Sequence, residues 1–185
     1  MEGFITSALR QFKMYQSLGE KAMAQMEDEH LFWQGNEDGN SVCNIVLHLH
    51  GNMMSRWTDF KTTDGEKEWR NRDGEFTPTT MTRAEMMAKW QEGWQCLYNA
   101  LAQVKDDELQ HIIYIRNDGH TILEAVCRQI AHYSYHVGQI VFLAKLFSNK
   151  APWQSLSIPR NASQDYNQAK FSQTKEKRDF TKDLL

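Results

Sequence analysis

Residues 122–147 place an apolar side chain at every third or fourth position: Ile122, Val126, Ile130, Tyr133, Val137, Ile140, Val141 and Ala144. That period belongs to a helix; a half-buried strand would alternate every residue. Thr121 with Glu124 forms a capping box at its start, and Ser148-Asn149-Lys150 with Pro152 supplies a stop. A helix of this length carries an apolar stripe about 39 Å long, at 1.5 Å per residue. Only a sheet or comparable helices can cover such a stripe. The one β-like stretch, Ile112-Ile113-Tyr114-Ile115, has no second strand to pair with and reads as an extended segment laid over a helical core.

Three further segments supply the cover. Residues 3–29 repeat Phe4, Ile5, Ala8, Leu9, Phe12, Tyr15, Leu18, Ala22 and Met26, and residues 42–61 repeat Val42, Ile45, Val46, Leu49, Met53, Trp57 and Phe60 behind Ser41 as N-cap. Residues 83–104 carry Met86, Met87, Trp90, Trp94, Leu97, Leu101 and Val104 behind a Thr82/Glu85 capping box. The expected fold is all-α, a four-helix bundle over residues 1–166, with a docked segment after the last helix and a polar, flexible tail at 167–185. With 185 residues, one domain is expected. Asn117-Asp118-Gly119 reads as a turn.

Residues 62–81 connect the second and third helices. Antiparallel neighbours need only about 2–8 residues between them, so this connection predicts a crossover between parallel helices. It gathers Trp69, Arg70, Arg72 and Asp73, and long loops of this kind often carry function.

Charge and cysteine content narrow the function. A net charge of −3 gives no basic footprint for nucleic acid. No apolar run reaches the roughly 18 residues of a membrane span. The start, Met1-Glu2-Gly3-Phe4, lacks the charged and apolar regions of a secretory signal, which points to the cytoplasm. Cys43, Cys96 and Cys127 are widely spaced without a CxxC pair and fit small buried positions on helices. Trp57, Trp90 and Trp94 fit the core. His30, His111 and His120 fall in or near loops and read as surface residues.

His132 and His136 stand four apart on one flank of the last helix's stripe, where they can grip one ion. Leu47-His48-Leu49-His50 offers a third imidazole. His48 and His50 are about 200° apart around their helix, so one ion cannot take both. With the second and fourth helices antiparallel and level, all these histidines lie about 20 Å from the same end of the bundle. Periodicity does not choose between His48 and His50. Three neutral imidazoles suit zinc, nickel, iron(II), cobalt or copper and leave coordination positions open, the mark of a reactive site. The absence of HExxH argues against a zincin protease. Gln129, Gln139, Asn52 and tyrosine hydroxyls are candidates for the outer ring nitrogens.

The stretches His48-Leu49-His50-Gly51-Asn52-Met53, Ser55-Arg56-Trp57-Thr58-Asp59-Phe60, Trp69-Arg70-Asn71-Arg72-Asp73, His132 to Ile140 and Ser155-Leu156-Ser157-Ile158-Pro159 together resemble the DinB/YfiT-like superfamily. The resemblance covers residues 4–166 and looks most like a DinB-like branch related to thiol-dependent S-transferases. It implies up-down-down-up topology, a homodimer, and a divalent metal on His48, His132 and His136. It selects His48 over His50, because the first histidine of the branch's HLxGN stretch is the ligand.

The leading functional expectation is a metal-dependent S-transferase that uses a low-molecular-weight thiol and a small-molecule substrate. Trp57, Arg70 and Arg72 are its candidate substrate contacts; the arginines would hold carboxylates of the thiol. The alternatives are a metal-dependent hydrolase and a non-catalytic metal-binding stress protein.

Overall fold

The computed structural model describes residues 3–77, 79, 81–148 and 152–183. The chain is mostly helical. Helix α1 spans Phe4–Met23, a single turn α2 spans Asp28–Leu31, α3 spans Val42–Trp57, α4 spans Arg83–Leu101, α5 spans Ile122–Leu146 and α6 spans Ser163–Phe171. Three short 3-10 turns and one two-stranded hairpin complete the regular elements among the described residues. None of the described helices is long and apolar enough to cross a membrane. Met1, Glu2, Asn149 and Lys150, used above as start and stop signals, lie outside the described residues.

The caps read from sequence form as expected. Ser41, Thr82 and Thr121 each accept a hydrogen bond from the backbone of the residue three further on, and each is answered by that residue's side chain. The first helix is shorter than its apolar period, which ran to residue 29. It stops at Met23 because the Arg83 guanidinium, from the start of α4, donates to the Met23 and Met26 carbonyls at 3.0 and 2.6 Å. These tertiary bonds satisfy carbonyls that a continued helix would have used.

α3 packs along α4 and α1 along α5, with α3–α5 and α1–α4 contacts closing the set. The partners across α3 and α4 rise together: His50 meets Glu92, Met53 meets Cys96, and Lys61 reaches Gln103. The two helices therefore run the same way, as the long connection between them requires. Between them and α1/α5 lies the core, in which Phe12, Trp90, Trp94, Leu97 and Tyr133 are fully buried or nearly so. Of the cysteines only Cys43 is buried. Cys96 is half-buried and Cys127 is exposed, because it falls on the outer face of α5 instead of the stripe.

The β-like stretch has a partner after all. β1 (Ile112–Ile115) pairs antiparallel with β2 (Asp118–Thr121), with Ile112 opposite Thr121 and Ile115 opposite Asp118. The turn is Arg116-Asn117, one step earlier than expected, with φ of 57° and 63°, the signature of a two-residue hairpin. Asp118-Gly119-His120 has no strand propensity of its own, so the pairing is imposed by the turn and by Ile113 and Ile115, which reach the core. Both turn amides donate to the Asp64 carboxylate at 2.8 Å, tying the hairpin to the crossover.

Candidate metal centre

The face of α5 that carries His132 and His136 meets the face of α3 that carries His48. Beneath the histidines a short relay joins the two helices: the Trp57 indole donates to the Tyr133 hydroxyl, which donates to Asn52. These bonds, with the apolar packing around Tyr133, fix the register of the two helices. The ligand atoms of His48, His132 and His136 then lie within 4.8 Å of one another. Nε2 of His132 is 3.2 Å from Nε2 of His48 and 3.1 Å from Nε2 of His136. Two nitrogens bound to one zinc at tetrahedral angles are about 3.3 Å apart, given bonds of about 2.0–2.1 Å. The spacing therefore fits a shared ion.

The outer nitrogens decide where the protons are. Nδ1 of His48 faces Glu75 Oε2 at 2.9 Å, Nδ1 of His132 faces Gln129 Oε1 at 3.3 Å, and Nδ1 of His136 faces Gln139 Oε1 at 2.8 Å. Each partner atom is an acceptor, so each Nδ1 donates outward. A neutral imidazole with its proton on Nδ1 offers a lone pair on Nε2. Three lone pairs then face one another with no proton between them, an arrangement that a cation satisfies. Burial, reinforced by the neighbouring histidines, holds His132 down to about 3. Burial and His48 hold His136 down to about 4. Both rings are neutral at neutral pH, the form that binds metal.

His50 points elsewhere. Its Nε2 meets Glu92 on α4 at 2.8 Å. The choice that periodicity leaves open between His48 and His50 is thus made by the pairing of α3 with α5. Gln129 and Gln139 stand where outer partners were expected, whereas Asn52 accepts from Tyr133 instead.

The three candidate substrate contacts are not brought together. Trp57 is buried and its N–H is committed to Tyr133. The Arg70 side chain is only 2% exposed and grips Glu75 with two bonds, Nε at 2.8 Å and Nη2 at 3.0 Å. A guanidinium so engaged has no free edge for a ligand. Arg72 alone is open, with its guanidinium over the Phe76 ring and the Phe76 ring 4.9 Å from that of His48.

Glu75 is the residue that the sequence did not single out. It lies on a 3-10 turn of the crossover, Asp73–Phe76. Burial would raise its pKa, but hydrogen bonds from His48 and Arg70 outweigh burial and hold it below the usual carboxylate range. It is one acid among many in a charged loop, and no periodicity marks it.

A family model described as "Protein of unknown function (DUF1572)" matches residues 1–162. The chain belongs to the DUF1572 family. A search of curated proteins returns no match for this DUF1572 chain. The match spans α1 to α5, and so includes the three histidines, Glu75 and both glutamines.

Proposed function

We propose that this chain is a metal-dependent enzyme that joins the sulfur of a low-molecular-weight thiol to a small electrophile. The observation that carries this reading is the convergence of three imidazole lone pairs whose outer nitrogens are all engaged. A divalent first-row ion held there, zinc, nickel or iron, would supply Lewis acidity strong enough to keep a thiol ionised near neutral pH. His48, His132 and His136 are its three holders, and three protein ligands leave room for a reactant.

The chain's other residues suit the reactants. Phe76 and the exposed Tyr135, whose ring is 4.9 Å from that of His136, offer apolar walls. Arg72 sits over Phe76, and the charge of Arg128 is felt at His132. These cations suit the carboxylates of a small thiol, a role that Arg70 leaves to them. In the net reaction a sulfur–carbon bond forms, the carbon–leaving-group bond breaks, and the thiol proton departs with the leaving group.

The resemblance to the DinB/YfiT-like superfamily supports the same reading. The shared direction of α3 and α4 suits an up-down-down-up four-helix bundle over residues 1–166. It extends the proposal to a homodimer. Cys127, Ala131, Tyr135, Gly138, Phe142 and Leu146 are exposed within an arc of about 100° on α5, a face suited to a second copy.

The test is metal content of protein purified without an affinity tag, followed by conjugation of monochlorobimane with a panel of thiols. Near one first-row metal per chain and a rate above that of the thiol alone support the transferase. Metal without conjugation, but with a rising pH–rate profile on ester probes, moves the reading to a hydrolase. Metal with neither activity leaves a metal-binding protein.

A further inference from the structure

We propose that Glu75 is a positioning residue for His48, and that Gly51 leaves the space in which Glu75 does this. The inference deepens the metal reading and rests on it. Glu75 Oε2 accepts a hydrogen bond from His48 Nδ1 and another from Arg70 Nη2, while Oε1 accepts from Arg70 Nε. The carboxylate is thus gripped by a fork on one side and presents one oxygen to the ring on the other. Arg70 cannot drift, because Glu66 stands 3.7 Å from its Nη1 and is itself paired with Arg56 and Arg116. The backbone is anchored too: the Asn44 amide donates to the Glu75 and Thr77 carbonyls, both at 3.2 Å.

Gly51 adds an independent observation from a different element. It lies on α3, three residues after His48. A Cβ there would stand 2.1 Å from Glu75 Oε1 and 2.9 Å from its Cδ. Any side chain at position 51 would therefore drive the carboxylate off. The carboxylate cannot escape sideways without breaking the Arg70 fork.

The consequence is an asymmetric site. His132 and His136 are oriented by neutral amides, whereas His48 is oriented by an ionised carboxylate. A carboxylate on the outer nitrogen fixes the tautomer and raises the basicity of the inner one. The orientation and tautomer of His48 then depend on the crossover being in place.

Two measurements on the full chain test this. The first is long-range 15N correlation NMR of the histidine rings in metal-free protein. The second is cobalt(II) affinity by chelator competition, with the visible spectrum of the bound ion. Both are made on wild type, Glu75→Gln and Gly51→Ala, with circular dichroism as a check on folding. We expect His48 as the Nδ1–H tautomer in wild type and a changed His48 signal in both variants. Cobalt affinity should fall about 10–100-fold, the usual range for loss of such a partner, and the cobalt spectrum should shift. Unchanged affinity in folded variants, or an Nε2–H tautomer in wild type, would overturn the positioning role while leaving the metal site standing. Wild type that takes no cobalt, yet shows the expected tautomer and its loss, would overturn the metal reading and keep the Glu75–His48 pairing. Unfolding of both variants would make Glu75 a structural residue and end the proposal.

Discussion

The two halves of the candidate centre are built differently. On α5, each ligand finds its outer partner three residues away on its own helix: His132 with Gln129 and His136 with Gln139. On α3, His48 depends on Glu75, which is 27 residues away in sequence and arrives only when the crossover folds back. The α5 half is preformed by helical geometry. The α3 half is assembled by tertiary structure and held by a charge network. A local half tolerates damage to its surroundings, whereas an assembled half transmits it.

The largest effects should come from the ligands, where the halves behave alike. His136→Ala and His48→Ala should each bring bound metal from near one per chain to near zero, read by elemental analysis of tag-free protein. Retention of metal in either would break the three-histidine reading.

Acid should come next. The folded pKa values of His132 and His136, about 4 and below, lie under the ordinary 6.5. Between those limits the unfolded chain binds more protons, so stability is full above pH 6.5 and is lost as pH falls. The melting temperature of metal-free protein should drop steadily from pH 7 to pH 4.5. His132→Gln should flatten that slope, and a slope unchanged in the variant would remove His132 as its cause.

Smaller effects should separate the halves. Asn44→Ala releases the crossover anchor together with the Asn44 half of the α3 capping box, and should weaken metal binding several-fold in a competition titration while also lowering the melting temperature. Gln139→Ala removes a neutral hydrogen bond, worth about 0.5–1.5 kcal/mol, and should weaken binding by about 2–10-fold. If Gln139→Ala cost more than Glu75→Gln, the asymmetry between the halves would be reversed. His50→Ala should leave metal content unchanged, since its ring is spent on Glu92.

The sequence by itself determined the long helices, their caps and the pair of histidines on α5. Those features follow from local rules: a 3.6-residue period, side chains that reach three residues along the chain, and the stacking of positions i and i+4. It also determined that the connection after α3 must cross over. Only the tertiary structure decided the rest. Met23 ends α1 because Arg83 takes its carbonyl, and Asp118–Thr121 is a strand because Ile112–Ile115 lies beside it. His48 faces the site and His50 does not because of which helices meet. Arg70 became a clamp on Glu75 instead of a hand for substrate. These outcomes turn on contacts between residues tens of positions apart, and no periodicity along the chain encodes such contacts. Gly51 is a local trace of them, a missing side chain whose reason appears only when Glu75 fills the space.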